Sequence, residues 1–223
     1  MVRSEGSDWV LPEPADPAAG RSAAARHDAL VGRAAPRRDG AALADLLGPV
    51  SPAEARLTRN WAQGAAGERL TARVLAPLAH AGWAVLHDRR LPGAANIDHL
   101  VIGPPGVWVI DSKAYAGRIK VLGDGRLWYG KTCLDEVLRV VRWGAERVAA
   151  SLGVRVASVL CIHGARLPRD QLRWDGVLLT GPAALVPLLA GTTGLSVDSD
   201  VAELARRAAI AFPPAPPAEQ GDP

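Results

Sequence analysis

Two aspartates and a lysine stand where a sheet core should end. Asp98 lies inside the apolar run at residues 97–102, and Asp111 and Lys113 close the run at 107–110. Side chains in a strand alternate faces, so Asp111 and Lys113 point one way and Ser112 the other. Gly103-Pro104-Pro105-Gly106 reads as a tight turn that brings the start of one strand beside the end of the next. Two carboxylates and an ammonium then converge at one sheet edge. Uncompensated carboxylates that close repel, and at neutral pH one is driven towards protonation. A hard divalent cation, Mg²⁺ or Mn²⁺, removes the conflict. Glu68, on a helix beside the sheet, supplies a third carboxylate. Only three of the 26 basic residues are lysines, namely Lys113, Lys120 and Lys131. An ammonium is a compact point charge suited to a developing oxyanion, which a planar guanidinium serves less readily. Carboxylates, cation and lysine together make a site for phosphodiester hydrolysis. The ion would lower the pKa of a bound water, and ion and lysine would stabilise the pentacovalent phosphate.

The elements that must hold this set follow from local signals. Ser51-Pro52-Ala53-Glu54 has an N-cap, a first-position proline and a capping-box glutamate. A helix is expected from there to residue 79, with a break at Gly64 or Gly67 possible and Gly82 as its stop. Strands are expected at 83–87, 97–102 and 107–113. A hairpin is expected with arms at 118–122 and 126–129 around Gly123-Asp124-Gly125. Residues 131–152 read as a long amphipathic helix with Leu134, Val137, Leu138, Val141 and Val148 near one stripe. Buried strands at 154–162 and 177–180 and helices at 183–189 and 201–211 close the order. That order predicts an α/β fold, a sandwich around a mixed central sheet. The domain is expected over residues 51–212. Residues 1–50, rich in Ala, Arg and Pro, are expected to form a flexible arm with one short helix. Residues 213–223 are expected to be a disordered Pro-rich tail outside the core.

The residues also resemble a known family. Gly67-Glu68, then Asn96-Ile97-Asp98-His99-Leu100-Val101-Ile102, then Gly106-Val107-Trp108-Val109-Ile110-Asp111-Ser112-Lys113 are similar to the nuclease-related domain family, within about residues 61–162. That family belongs to the PD-(D/E)-x-K phosphodiesterase superfamily. The D-x-K triplet alone is common, whereas G-E, N-x-D and D-x-K in this order with G-V-W-V-I between them are far more specific. The resemblance implies a restriction-endonuclease-like fold. It implies Glu68, Asp98 and Asp111 as metal ligands with the carbonyl of Ser112, and Lys113 as the catalytic lysine. Two departures stand out. Asp111 occupies a position where many members have glutamate, and Glu136 falls where the family often has glutamine.

Size and charge set the outer bounds. A chain of 223 residues, 48% of them hydrophobic, can bury a core, which excludes a wholly disordered protein. The formal net charge of +3 is unevenly spread: residues 51–165 hold 15 Lys/Arg against 9 Asp/Glu, while both flanks are slightly acidic. This hints at a polyanionic partner, although a solvated surface that simply uses arginine fits the charge as well; the partner expected from the resemblance is DNA. Arg118, Lys120 and Arg126 on the hairpin could touch phosphates, although an ordinary solvated face reads equally well. Cys133 and Cys161 lack metal-ligand spacing and fit reduced thiols in a cytoplasmic protein. No secretory signal is visible at the start of the chain. Residues 176–197 are uncharged and long enough to span a membrane, but Gly181, Pro182, Pro187, Gly191, Thr192, Thr193 and Gly194 break a continuous helix, so a strand, a turn and a short helix fit better.

Three functions fit these observations. The first is a Mg²⁺-dependent nuclease acting on DNA, in DNA processing or defence. The second is a catalytically weak or inactive nucleic-acid-binding module of the same fold. The third is a hydrolase of a small phosphoester. An ordinary cross-strand ion pair is the alternative for Asp98, Asp111 and Lys113, and the combined pattern of motifs favours the functional reading over it. Alternation turns His99 away from Asp98, which makes it structural. The opposed faces of Ser112 and Lys113 rule out a Ser–Lys dyad. Trp108, Trp128 and Trp143 read as packing.

Overall fold

The computed structural model describes residues 52–92, 95–193 and 200–215, with side chains from residue 63, together with Ala19 and Arg21. The expected arm with its short helix, the Ser51 cap with its Glu54 partner, and the tail beyond residue 215 lie outside the described residues. Helix α1 spans Pro52–His80 and is unbroken at Gly64 and Gly67. Strands β1 (Ala84–Arg90), β2 (Asn96–Gly103) and β3 (Gly106–Val121) follow as an antiparallel meander. Strand β4 (Leu127–Tyr129) pairs with the far end of β3, and β5 (Thr132–Cys133) pairs with β4. Helix α2 (Asp135–Leu152) leads to β6 (Val156–Arg166), which returns parallel to β3. Strand β7 (Gln171–Trp174) and β8 (Val177–Thr180) complete the sheet, before α3 (Pro182–Ala190) and α4 (Val201–Ala211). The order across the main sheet is β1-β2-β3-β6-β8-β7, with β4 and β5 branching from β3. This is an α/β fold with a mixed eight-stranded sheet between helices, consistent with a restriction-endonuclease-like fold.

Period-2 alternation builds the two cores. On one face Val101, Trp108, Ile110, Val159 and Cys161 pack against Leu75 and Leu78 of α1 and Leu185 and Leu189 of α3. On the other, Leu100, Ile102, Val107 and Val109 meet Ala145, Val148 and Leu152 of α2, with Leu204 and Ala208 of α4. Helix α2 ends at Gly153, whose φ of 69° suits the left-handed cap that a residue with a Cβ resists.

Several boundaries differ from expectation. Strand β3 does not stop at Lys113 but continues to Val121 through an irregularity between Ala114 and Gly117, with Gly117 at φ 98°. The glycine absorbs a bulge there, so what reads as a break is a bend within one strand. Helix α2 starts at Asp135, because Gly130-Lys131 form a two-residue turn that folds Thr132–Cys133 back onto β4. Strand β7 was not anticipated. The first residues of the Pro-rich segment join the fold: Phe212 and Ala215 are buried, Pro213 O accepts from Arg90 N–H, and Ala215 N–H donates to Asp88 O. Proline is tolerated at a sheet edge where no main-chain donor is needed, and here Pro213 contributes only its carbonyl. The uncharged stretch forms β8 and α3, and among the described residues no helix is long and apolar enough to cross a membrane.

Candidate active site

The β2–β3 ladder places His99 opposite Ile110 and ends there. One residue further, Asp98 faces Asp111 in continued register. The backbone N–H of Ser112 donates to Oδ2 of Asp98 at 2.8 Å, so a carboxylate takes the donor that the ladder releases. Lys113 Nζ lies 2.5 Å from Asp111 Oδ2 and 3.4 Å from the carbonyl of Ser112. Oδ2 of Asp111 is buried, so this ion pair is held largely out of contact with bulk water.

Glu68 comes from the other side. It sits on α1, which crosses close over β3: a Cβ built on the neighbouring Gly67 would lie 3.5 Å from that of Ala114. Glu68 is buried, and burial raises its pKa to about 9, helped by Asp98, Asp88 and Asp111. Burial, then Asp111, raises Asp98 to about 7 against the opposing pull of Lys113 and the Ser112 N–H. Burial works against the charge of Lys113, but Asp111 and Asp98 outweigh it and hold its pKa above the ordinary lysine value. The region is thus a crowd of mutually repelling carboxylates with one ammonium.

Asp88 is the member that the sequence reading missed. His87 pairs with His99 and Arg89 with Ile97, a register that sets Asp88 opposite Asp98. Asp88 is buried, adopts φ 48°, and accepts from Asn96 Nδ2 at 3.4 Å. Ending the first strand at residue 87 hid it; extending the antiparallel register by one pair exposes it. A left-handed residue inside a strand is uncommon, and aspartate is one of the few types with a Cβ that adopts it readily.

A buried polar chain fixes Ser112 from the opposite face. His87 Nδ1 lies 2.7 Å from His99 Nδ1, and His99 Nε2 lies 3.2 Å from Ser112 Oγ. Ser112 Oγ donates to Thr71 Oγ1 at 2.8 Å, and Thr71 Oγ1 lies 2.7 Å from His163 Nε2. One hydroxyl proton per oxygen sets the direction: His87 donates to His99, His99 to Ser112, Ser112 to Thr71, and Thr71 to His163. Burial lowers the pKa of both His99 and His163, which matches the neutral rings this direction requires. The structural role expected of His99 and the outward turn of Ser112 from Lys113 are what the geometry shows. Thr71 stands one helical turn after Glu68, a spacing that could have revealed it.

The other expected residues fall elsewhere. Arg118 and Lys120 are exposed on the outer part of β3. Arg126 is tied to Asp124 at 3.0 Å and lies 3.8 Å from Asp135. Glu136 is exposed and paired with Arg139 at 2.5 Å. Cys133 and Cys161 are both free thiols.

The donors suit a hard cation: all are carboxylate or carbonyl oxygens. Among the described residues, however, no three His, Cys, Asp or Glu side chains are already gathered tightly enough to hold a metal.

The fold is an α/β domain consistent with the restriction-endonuclease-like class. The family model described as nuclease-related domain matches residues 63–171, a little further along than the motifs alone suggested. Neither the curated proteins nor the solved structures give a significant match.

Proposed function

We propose that this protein is a divalent-metal-dependent nuclease that hydrolyses DNA phosphodiester bonds. The observation that carries the reading is the strand-edge arrangement of Asp98, tied to Ser112 N–H at 2.8 Å, beside Asp111 with Lys113 2.5 Å away. Glu68, Asp98, Asp111 and the carbonyl of Ser112 would hold Mg²⁺ or Mn²⁺. When bound, such an ion supplies Lewis-acid polarisation of a phosphoryl oxygen. The chain supplies the rest. Ser112 N–H fixes the Asp98 carboxylate against rotation. Lys113, kept charged by its two aspartates, places an ammonium where negative charge grows on the phosphate, which offsets that charge most strongly away from bulk water. Glu68, which burial keeps protonated at neutral pH, would have to give up its proton to serve as a ligand. The unpaired thiols support a cytoplasmic location.

The test is cleavage of plasmid and single-stranded DNA with Mg²⁺, Mn²⁺ or EDTA, comparing the wild type with Lys113→Ala and Asp98→Ala. Metal-dependent cutting lost in both variants is expected. A wild type inert on every DNA form and metal would sink the reading.

One observation favours a second reading, a DNA-binding module of the same fold with little or no turnover: the carboxylates are not assembled for a metal among the described residues. Salt-sensitive DNA binding without cleavage under any metal would decide for it.

A further inference from the structure

Beyond the centre, the outer half of β3 forms one wall of a groove of about 590 Å³ with β4 and the following turn. Ala116, Arg118, Lys120, Trp128, Tyr129 and Lys131 line it, and none of its lining residues is acidic. Ile119 between the two cations is buried under the hairpin, so Arg118 and Lys120 share the outer face. Residues two apart on a strand stand about 6.6–6.8 Å apart, a spacing comparable with successive phosphates of an extended nucleic-acid strand. Arg118, Lys120 and Lys131 enter no ion pair among the described residues, unlike Arg126, Arg139, Arg142 and Arg206. Three unpaired cations facing one concavity leave a positive field that an anion can neutralise.

The groove lies close to the centre along β3. Tyr115, two residues beyond Lys113 on that strand, stacks on Tyr129 of the groove wall with ring centroids 4.2 Å apart. Tyr129 Oη in turn accepts from Ala116 N–H at 3.0 Å. Ala116, on the groove wall, stands only three residues from Lys113. All three lysines of this arginine-rich chain therefore lie along one path, Lys113 at the centre and Lys120 and Lys131 in the groove.

We infer that this groove is the track for one strand of DNA, with Arg118, Lys120 and Lys131 holding consecutive backbone phosphates as the strand leaves the Lys113 end. Lys131, not the expected Arg126, is the third contact, because the Arg126 guanidinium is engaged by Asp124. The track deepens the nuclease reading and rests on it for its purpose, but its test does not need turnover.

Binding of a short fluorescent single-stranded DNA to the full chain is measured in EDTA over a salt series. The groove variant Arg118→Ala/Lys120→Ala/Lys131→Ala is compared with a control that removes equal charge elsewhere, Arg155→Ala/Arg169→Ala/Arg173→Ala. The groove variant is expected to bind roughly tenfold or more weakly, with a log–log salt slope shallower by about 2, as three lost phosphate contacts require. The control is expected to bind as the wild type does. Equal loss in both variants, no loss in either, or a wild type that does not bind would each overturn the track. Wild-type hydrolysis of bis(p-nitrophenyl) phosphate with Mn²⁺ reports on the centre alone. If that fails while only the groove variant loses binding, the nuclease reading falls and the track stands.

Discussion

Ser112 N–H donates to Asp98 Oδ2 at 2.8 Å, one residue beyond the last pair of the β2–β3 ladder. The strands begin to separate there, and a side-chain oxygen substitutes for a main-chain carbonyl. The same contact keeps a buried acid beside Asp111, which burial and charge both oppose. A position that costs stability and is nonetheless held by a directed hydrogen bond has the character of a functional site.

Asp98→Asn separates these two aspects. The amide oxygen can still accept from Ser112 while the charge repulsion disappears. In metal-free buffer at pH 8 this variant should be at least as stable as the wild type by urea denaturation, yet cleave DNA at least about 100-fold more slowly. Asp98→Ala should be less stable than the Asn variant by about 1–2 kcal/mol, because Ser112 N–H loses its partner. An Asn variant that cuts normally would remove Asp98 from the chemistry.

Lys113→Ala should lower single-turnover cleavage about 100- to 1000-fold, the range seen when one charge-stabilising donor is lost. Added Mg²⁺ should not restore it. Lys113→Arg should recover only part of the rate, since a planar guanidinium does not reproduce a point charge. Full activity in the arginine variant would argue against a specific role for the ammonium.

Glu68 makes the metal-free protein pH-sensitive. Its folded pKa, about 9, lies above its ordinary value of 4.5, so its contribution is complete below the ordinary value and is lost as pH rises through the folded one. Neutral His99 and His163 act in the opposite sense, but only on the acid side of pH 6.5. Between pH 7 and 9 the melting temperature in EDTA should therefore fall, and Glu68→Gln should flatten the curve. Mn²⁺ should raise the melting temperature increasingly towards pH 9, as proton release favours binding. A melting temperature that climbs over this interval in EDTA would contradict the arrangement.

The buried chain from His87 to His163 should behave as a unit. Ser112→Ala leaves Thr71 and His99 short of a partner and should cost about 1–3 kcal/mol in chemical denaturation. Ser112→Ala and His163→Ala should be coupled by at least about 0.5 kcal/mol, although the two side chains meet only through Thr71. Additive losses would show that no such chain operates.

Two glycines should respond oppositely to a methyl group. At Gly67 the new Cβ would find ordinary contacts, 3.5 Å to Ala114, so Gly67→Ala should be neutral or stabilising by up to about 1 kcal/mol through helix propensity. At Gly103 it would lie 2.2 Å from the Trp83 ring, which is stacked on Trp108, so Gly103→Ala should destabilise by about 1–3 kcal/mol or more. Thermal melts of both variants settle the contrast.

Much of the molecule was legible in one dimension, because its signals are local. Alternation placed Val107–Ile110 in the core and put Ser112 on the face opposite Asp111 and Lys113. The 177–180 strand and the 201–211 helix emerged with the bounds that the residues predicted. Turn residues fixed the β2–β3 and β3–β4 connections. These depend on rules acting over a few residues, where sequence and geometry correspond directly.

What the tertiary structure alone decided depends on elements far apart in the chain. Asp88 joins the acidic row only through the β1–β2 register and the clasp of Ala215 N–H on its carbonyl. Thr71 and His163, 92 residues apart, meet across α1 and β6. Among the described residues, the groove cations outside any ion pair are Arg118, Lys120 and Lys131, whereas hairpin geometry gives Arg126 to Asp124. Residue types and spacing can name which groups carry charge. Which charges are left unpaired, and which are forced together, is set by packing, since burial and distance appear only once separate strands and helices share one core.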